Sequence, residues 1–157
     1  MKKFTAILMA ALMLISFASC TKSPTNTNVN VDLDAIKAEL IEKTGVTEPI
    51  EIGREEFYSL YGIEADKVKH SASYLVSTEI FPDEIMMVEA SDDDAAKLIA
   101  EKLQLHLEDL KSQATDYDAK GLAIAEATQV HINGRYVAMF FSQQRETMEE
   151  IYLSHFE

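Results

Sequence analysis

Cys20 is the only cysteine in this 157-residue sequence, and its position suits it to accept a lipid. It follows the three parts of an export signal: lysines at positions 2 and 3, an apolar run over 4–18, and small Ala18 and Ser19 before the thiol. A peptidase cuts after such small residues, and the thiol then takes a diacylglyceryl group. We expect a lipoprotein signal peptide at 1–19, lipidation at Cys20, and a protein anchored on the extracytoplasmic face of the cell membrane.

An uncleaved membrane anchor is the alternative. The apolar run of fifteen residues is shorter than the ~20 that span ~30 Å of hydrocarbon, which favours the cleaved signal. Phe17 stands where an aliphatic residue is usual, three positions before the cysteine, so the sequence leaves lipoprotein processing open. Two or more acyl chains at ~0.8 kcal/mol per buried methylene would anchor the processed protein stably in the bilayer.

A lipid on Cys20 would leave the rest of the chain without a thiol. Thiol catalysis, a disulfide framework and a Cys-ligated zinc site are then excluded. The sequence has only five glycines, none in a run that could cradle a phosphate, which argues against a nucleotide site. We therefore predict no cofactor.

The histidines show no metal-binding pattern. No two have the i, i+4 spacing of a helical site, and HExxH is absent. For His106, a hydrogen-bonded core role is favoured over a ligand role. His131 is predicted to face Tyr136 across a hairpin. No metal site is predicted. The four are His70, His106, His131 and His155.

The acidic residues offer the remaining chemistry. Asp92, Asp93 and Asp94 lack the alternating spacing and the final glutamate of a calcium loop, so they indicate a helix start. Ser154 and His155 are sequence neighbours rather than a nucleophile and its base. Two of the 27 acids could converge as an acid and base pair, as in glycoside hydrolysis, but their spacing selects no pair. We assign no catalytic residue.

Net charge limits the partners. A chain cut before Cys20 keeps 12 basic residues against 27 acidic ones, a formal charge of −15. Nucleic acid is excluded as a partner because the basic residues are scattered singly among acids. Contact of the domain with anionic lipid is also disfavoured. The charge favours solubility over a dedicated cation-binding role.

The chain divides into a tether and one domain. Residues 20–31 contain the lipidated Cys20 and a polar stretch without periodicity, which is typical of a flexible tether. Eleven extended residues reach about 35 to 40 Å, enough to hold a domain clear of the headgroups. Residues 32–157 then have the size of a single domain with one core.

Apolar periodicity predicts eight elements in this domain. Asp32 or Asp34 caps the first helix and Gly45 ends it, Gly62 ends the second, and Ser91 caps the third. A loop is predicted at 116–121. Helices are predicted at 32–43, 54–61, 91–114 and 144–156, and strands at 68–77, 84–90, 128–132 and 135–142. The first strand alternates, with one face made of Val68, Ala72, Tyr74 and Val76.

After two N-terminal helices, the order strand, strand, helix occurs twice along the chain. It predicts an α+β domain with a four-stranded antiparallel sheet and helices on one face. Asn133-Gly134 predicts a two-residue hairpin loop that pairs Val130 with Val137. Both faces of this hairpin are apolar. The second face is either buried under residues 32–62, which is favoured, or offered to a partner.

Five features together resemble a known family. They are the leader, the segment 57–63 (Phe-Tyr-Ser-Leu-Tyr-Gly-Ile), the strand 84–90 before an Asp-rich helix start, Tyr117, and the hairpin 133–137. This set resembles the uncharacterised bacterial lipoproteins that carry domain of unknown function 4358. The resemblance covers about residues 36–156. It implies the location and a single domain, and it supplies no catalytic residue.

The expected function is that of an extracytoplasmic lipoprotein, a binding or accessory module of the cell envelope. Its expected partners are the lipid bilayer, through acylated Cys20, and an envelope protein or small ligand. The alternative is an envelope-acting hydrolase that uses paired carboxylates.

Overall fold

The computed structural model describes residues 30–78, 82–115 and 118–157. These form an α+β domain, as predicted, with six antiparallel strands rather than four. The helices are α1 Leu33–Thr44, α2 Phe57–Tyr61, α3 Asp93–Ala114, α4 Ala119–Ala127 and α5 Arg145–Ser154. The strands are β1 Ile50–Ile52, β2 Val68–Ser71, β3 Ser73–Val76, β4 Asp83–Ala90, β5 Val130–Asn133 and β6 Tyr136–Phe141.

The sheet is built around β4. The strand order is β1-β3-β4-β6-β5, and β2 pairs with the same edge of β4 as β3 does. Residues predicted as one strand are therefore two, interrupted at Ala72, where the hydroxyl of Ser73 accepts the amide proton of Met87 at 3.0 Å. A bulge between Val68 and His70 reverses the side-chain direction. Val68 consequently packs on the opposite face from Ala72, so their predicted common face is wrong.

Helices cover both faces of the sheet, which corrects the predicted one-sided arrangement. The face that we call the α3 face packs against α2, α3 and α4, and the strand residues Met86 and Val88 point to it. The other face, the α1/α5 face, packs against α1 and α5, and Ile85 and Met87 point to it. Alternate side chains of β4 thus belong to two separate apolar clusters, one on each face of the sheet.

The second apolar face of the last hairpin is buried on the α1/α5 face. Its residues Tyr136, Ala138 and Phe140 lie in one cluster with Leu40 of α1 and Tyr152 of α5. Burial under the N-terminal segment was the favoured expectation, and α1 confirms it. The sequence did not indicate that α5 would share the task by packing beside α1.

Most helix ends follow their capping residues. Asp32 caps α1 by accepting two backbone N–H bonds at 3.1 Å, and Gly45 ends it with φ 69°. Helix α2 is shorter than predicted. The cap of α3 is Asp92, whose carboxylate accepts the Ala95 N–H at 2.7 Å. The predicted cap Ser91 is wrong because its own N–H still bonds Lys67, at the end of the sheet.

Two elements were missed and one exposure was wrong. Strand β1 has only three residues, too few for alternation to be recognised. Residues 119–121, predicted as loop, form the first turn of α4, where Asp118 accepts the Lys120 N–H at 3.0 Å. The apolar pattern of the second predicted helix favours Phe57, Leu60 and Tyr61 as core residues, but Leu60 is 45% exposed.

The last hairpin has a different register from the predicted one. Asn133 pairs with Tyr136, so the two loop residues are Gly134 and Arg135 rather than Asn133 and Gly134. Gly134 has φ 60°, which suits the first position of a type II′ loop. Val130 therefore pairs with Met139, two residues beyond the predicted partner.

The chain enters the domain at the hairpin end of the sheet. The Val31 N–H donates to the Tyr136 hydroxyl at 3.0 Å, and the Phe156 ring packs on the Tyr136 ring at 5.5 Å. Glu89 of β4 pairs with Tyr136, whereas Glu84 lies five residues back along the strand, about 17 Å away. We call these the entry end and the far end of the sheet. No helix in the described parts of the chain has the length and hydropathy needed to cross a bilayer.

Candidate functional site

A buried carboxylate at the far end joins three elements. Glu84 of β4 is 6% exposed, and its Oε2 accepts the Tyr61 hydroxyl of α2 at 3.2 Å. The same oxygen lies 2.8 Å from Nε2 of His106 on α3. The Tyr61 and His106 rings meet edge to face at 4.9 Å. We call this group the Glu84 cluster.

Strand and helix spacing brings the cluster together. Glu84 has the same parity as Met86 and Val88, so its side chain points to the α3 face. His106 stands beside Leu107, at the edge of the buried stripe of α3. Glu84 itself was not predicted. Its one signal in the sequence is its place directly before the apolar run 85–88 of β4, a strand that also contains Asp83 and Glu89.

The Glu84 cluster can hold and orient a proton. A carboxylate only accepts, so a neutral His106 carries its ring proton on Nε2, a chemical assignment rather than an observed hydrogen. Burial, followed by the charge of Glu84, raises the pKa of Tyr61 far above its ordinary value, so Tyr61 stays a donor at neutral pH. His106 is half-buried and links the cluster to solvent.

A second buried acid lies at the entry end. Glu89 accepts the ammonium of Lys69 at 2.7 Å and the guanidinium of Arg135 at 3.3 Å on one oxygen. This group ties β2, β4 and the hairpin loop. Both cations are well exposed, which limits the contribution of each pair to about 1 kcal/mol or less.

Every histidine pairs with a carboxylate from another element, and no two histidines share a site. His131 pairs with Ala138 in the register and its ring turns to α5, so its predicted position opposite Tyr136 is wrong. Groups of three or more His, Cys, Asp or Glu side chains that could hold a metal do not occur in the described residues. The pairs are His70–Asp34 at 3.0 Å, His106–Glu84 at 2.8 Å, His131–Glu149 at 3.4 Å and His155–Glu39 at 3.1 Å.

The acidic residues 92–94 stand at a helix start, as the sequence indicated. Asp92 is the cap and Asp94 pairs with Lys97 at 2.9 Å. Ser154 donates its hydroxyl proton to the Ile151 carbonyl at 2.7 Å. It therefore forms no nucleophile pair with the neighbouring His155.

Asp83 and Glu84 do not form a carboxylate pair. They are neighbours on β4, so their side chains point to opposite faces. Burial raises the pKa of Asp83, while the Ser142 hydroxyl, which donates to it at 2.7 Å, opposes the rise. The two glutamates Glu84 and Glu89 are about 17 Å apart, beyond the ~5 to 9.5 Å that glycoside hydrolysis requires.

The Tyr74 hydroxyl should make stability fall at alkaline pH. It is buried without a hydrogen-bond partner among the described residues, and burial, then the charges of Asp83 and Glu51, raises its pKa to about 12. The unfolded state loses this proton near pH 10 and the folded state near pH 12. The folded state thus binds more protons in between, and the free energy of unfolding falls as pH rises through that window.

Tyr74→Phe should therefore reduce the alkaline loss of stability. Urea unfolding between pH 8 and 11.5 measures it, with Tyr58→Phe as the control because Tyr58 is exposed. Equal pH dependence in the two variants would contradict the assignment. At neutral pH, removal of the unpartnered hydroxyl should leave stability unchanged or raise it by about 1 kcal/mol.

Cys20 lies outside the described residues, as do the predicted signal peptide at 1–19, most of the tether and Tyr117. The predicted lipidation therefore stays a prediction.

The comparisons with known proteins give one match. The family model described as Domain of unknown function (DUF4358) matches residues 42–142. The matched segment runs from the end of α1 through β6 and includes the Glu84 cluster. No curated protein and no solved structure matches the chain.

Proposed function

This chain belongs to the family of the domain of unknown function DUF4358, and we propose that it is a lipid-anchored, extracytoplasmic binding or accessory module of the cell envelope. The observation that carries the proposal is the position of Cys20. Only Ser19 separates it from an apolar leader of fifteen residues, and a polar stretch that leads to a folded domain follows it.

The direction of the domain supports a tethered arrangement. The chain enters beside Tyr136, at the entry end, and the Glu84 cluster lies at the far end, about 17 Å further along β4. An anchor at Cys20 attaches to the entry end. The Glu84 cluster is then on the side of the domain remote from the attachment point.

The far end has the chemistry of a binding site for a small polar ligand. Its buried carboxylate and half-buried imidazole form a fixed hydrogen-bonding group that reaches the surface at His106. The tyrosine that completes it stays protonated at neutral pH, so its hydroxyl remains a donor to Glu84. Fixed polar groups at a surface supply orientation and specificity in ligand sites.

A hydrolase acting on envelope material is the second candidate. The paired carboxylates expected for it are not supported by the positions of Asp83, Glu84 and Glu89 on β4. The observation that keeps this candidate is the Glu84–His106 contact at 2.8 Å, because a carboxylate that orients an imidazole is a component of acid and base catalysis.

Labelling with a radioactive fatty acid tests the anchor. The unaltered protein should take up label and fractionate with membranes as a chain that begins at Cys20, and Cys20→Ser should take up none. A protein that stays unlabelled and keeps residues 1–19 would contradict the proposal and favour the uncleaved anchor. Ser19→Thr is a suitable control, because it alters the neighbouring residue and keeps the acceptor thiol.

Thermal unfolding in the presence of candidate ligands tests the binding role. Sugars, peptidoglycan fragments and metabolites are added to the protein and to His106→Gln. A ligand at about a hundred times its dissociation constant adds ~2.7 kcal/mol to the free energy of unfolding. A shift in melting temperature that the variant loses would place the ligand at the Glu84 cluster, and a shift that the variant keeps would place it elsewhere.

A further inference from the structure

Four polar side chains face one another between β5 and α5. His131 and Asn133 are two residues apart on β5, so they point to the same face of the sheet. Glu149 and Tyr152 are three residues apart on α5, so they lie on the same side of that helix. The His131 ring lies 6.4 Å from the Tyr152 ring, which places the two pairs against each other.

Each of these side chains has a buried polar atom without a hydrogen bond. In the parts of the chain that the structure describes there are five such atoms, and four belong to this group. They are Nε2 of His131, Nδ2 of Asn133, Oε1 of Glu149 and the hydroxyl of Tyr152. A buried polar atom without a partner costs about 1–3 kcal/mol, so four at one place need an explanation.

Asn133 and Tyr152 are both at least nine-tenths buried. Burial raises the pKa of Tyr152, and the Asn133 amide lies near enough to oppose part of the rise, although the two groups miss hydrogen-bond geometry. The Asn133 amide is therefore directed at the same interior region as the Tyr152 hydroxyl. Turning this amide would place Oδ1 where Nδ2 now lies.

The distance between the His131 and Glu149 side chains suits two ligands of one metal ion. Nε2 of His131 and Oε1 of Glu149 are 3.4 Å apart, within ion-pair distance, but neither atom has a hydrogen bond to the other or to any other group among the described residues. Two ligand atoms that each lie about 2.05 Å from one tetrahedral ion are about 3.3 Å apart. Imidazole nitrogen and carboxylate oxygen are both ordinary zinc ligands.

We propose that His131 and Glu149 bind a divalent transition-metal ion such as Zn²⁺ between β5 and α5, with Asn133 and Tyr152 beside it. The second carboxylate oxygen of Glu149 is 3.8 Å from the Arg145 guanidinium, which leaves Oε1 for the ion. The chain supplies two strong ligands, and the Asn133 oxygen or water completes the coordination. This site is separate from the Glu84 cluster, and it does not depend on the proposed function.

Thermal unfolding of the full-length protein, freed of metal with a chelator, tests the site. Zn²⁺ at about a hundred times its dissociation constant should raise the melting temperature by roughly 5 °C or more. His131→Gln and Glu149→Gln should each abolish the rise. The matched control is His155→Gln, which removes another histidine paired with a glutamate, at 3.1 Å and more exposed, and should keep the rise.

X-ray absorption of the Zn²⁺-loaded, unaltered protein gives a readout that needs no variant to fold. We expect a nitrogen and oxygen shell near 2.0–2.1 Å with the outer-shell signature of one imidazole. Three results would each overturn the proposal. They are no change in melting temperature with Zn²⁺, a rise in His131→Gln and Glu149→Gln equal to that of the unaltered protein, and a metal shell without imidazole.

Discussion

Leu40→Ala is expected to lower the free energy of unfolding by about 2–5 kcal/mol. Leu40 is 0% exposed and packs from α1 into the α1/α5 face, so its truncation removes buried methyl groups and leaves a cavity. That loss is a large share of the 5–15 kcal/mol that ordinarily stabilises a domain. Chemical denaturation followed by circular dichroism measures it.

Leu105→Ala is the matched control. Leu105 is 55% exposed on α3, so the same change of side chain should alter stability by less than about 0.5 kcal/mol. If Leu40→Ala were equally mild, α1 would not be docked on the sheet. The second apolar face of the hairpin would then be open to a partner, which was the alternative left by the sequence.

Glu84→Ala is expected to cost about 3–5 kcal/mol, because it leaves the Tyr61 hydroxyl and the His106 ring buried or half-buried without their acceptor. Glu84→Gln should cost less, since the amide keeps one oxygen acceptor. The matched control is Glu89→Ala, which removes the other buried glutamate of β4. Its partners Lys69 and Arg135 are about half exposed, so we expect a loss of roughly 1 kcal/mol or less.

A double-mutant cycle separates the interaction from the packing of the side chain. The free energies of unfolding of Glu84→Leu, His106→Leu and the double variant are each compared with that of the unaltered protein. The coupling energy between the two side chains should be about 0.5–3 kcal/mol. Additive effects, or equal losses for Glu84→Ala and Glu89→Ala, would show that the Glu84–His106 contact contributes nothing specific to stability.

Local signals predicted local structure well. The Asp32 cap, the Gly45 and Gly62 ends, and the apolar stripe of α3 all depend on residues within one or two turns of each other. The class of the fold followed from the order of these elements. The faces that the elements cover did not, because a periodic pattern says that a helix has a buried side and not which side of a sheet receives it.

The errors arose where tertiary contacts override a local preference. The hairpin loop moved by one residue because Asn133 is buried in the strand beside Tyr152 and not in the turn. Val68 changed face because of a bulge, and a bulge has no signature in an alternating pattern. Helix α4 was missed because Gly121 suggested a loop, although the alanines after it favour a helix.

The candidate sites show the same division. Cys20 was predicted as a lipidation site because the signal for lipidation lies in contiguous residues. In the Glu84 cluster, Tyr61 and His106 lie 23 and 22 positions from Glu84 in the chain. The proposed metal site joins His131 of a strand to Glu149 of a helix. Neither site is therefore visible as a sequence motif. An acid directly before the apolar run 85–88 was the one available signal at Glu84.

The packing of α1 against α5 sets when the protein can finish folding during its synthesis. Helix α1 ends at Thr44, but the helix beside it is complete only at Ser154. At ~5–20 residues per second, a ribosome needs about 5 to 20 s to add the 110 residues between them. Helix α1 therefore lacks its neighbouring helix throughout that interval, and a sheet that forms before α5 is complete exposes part of its α1/α5 face to solvent.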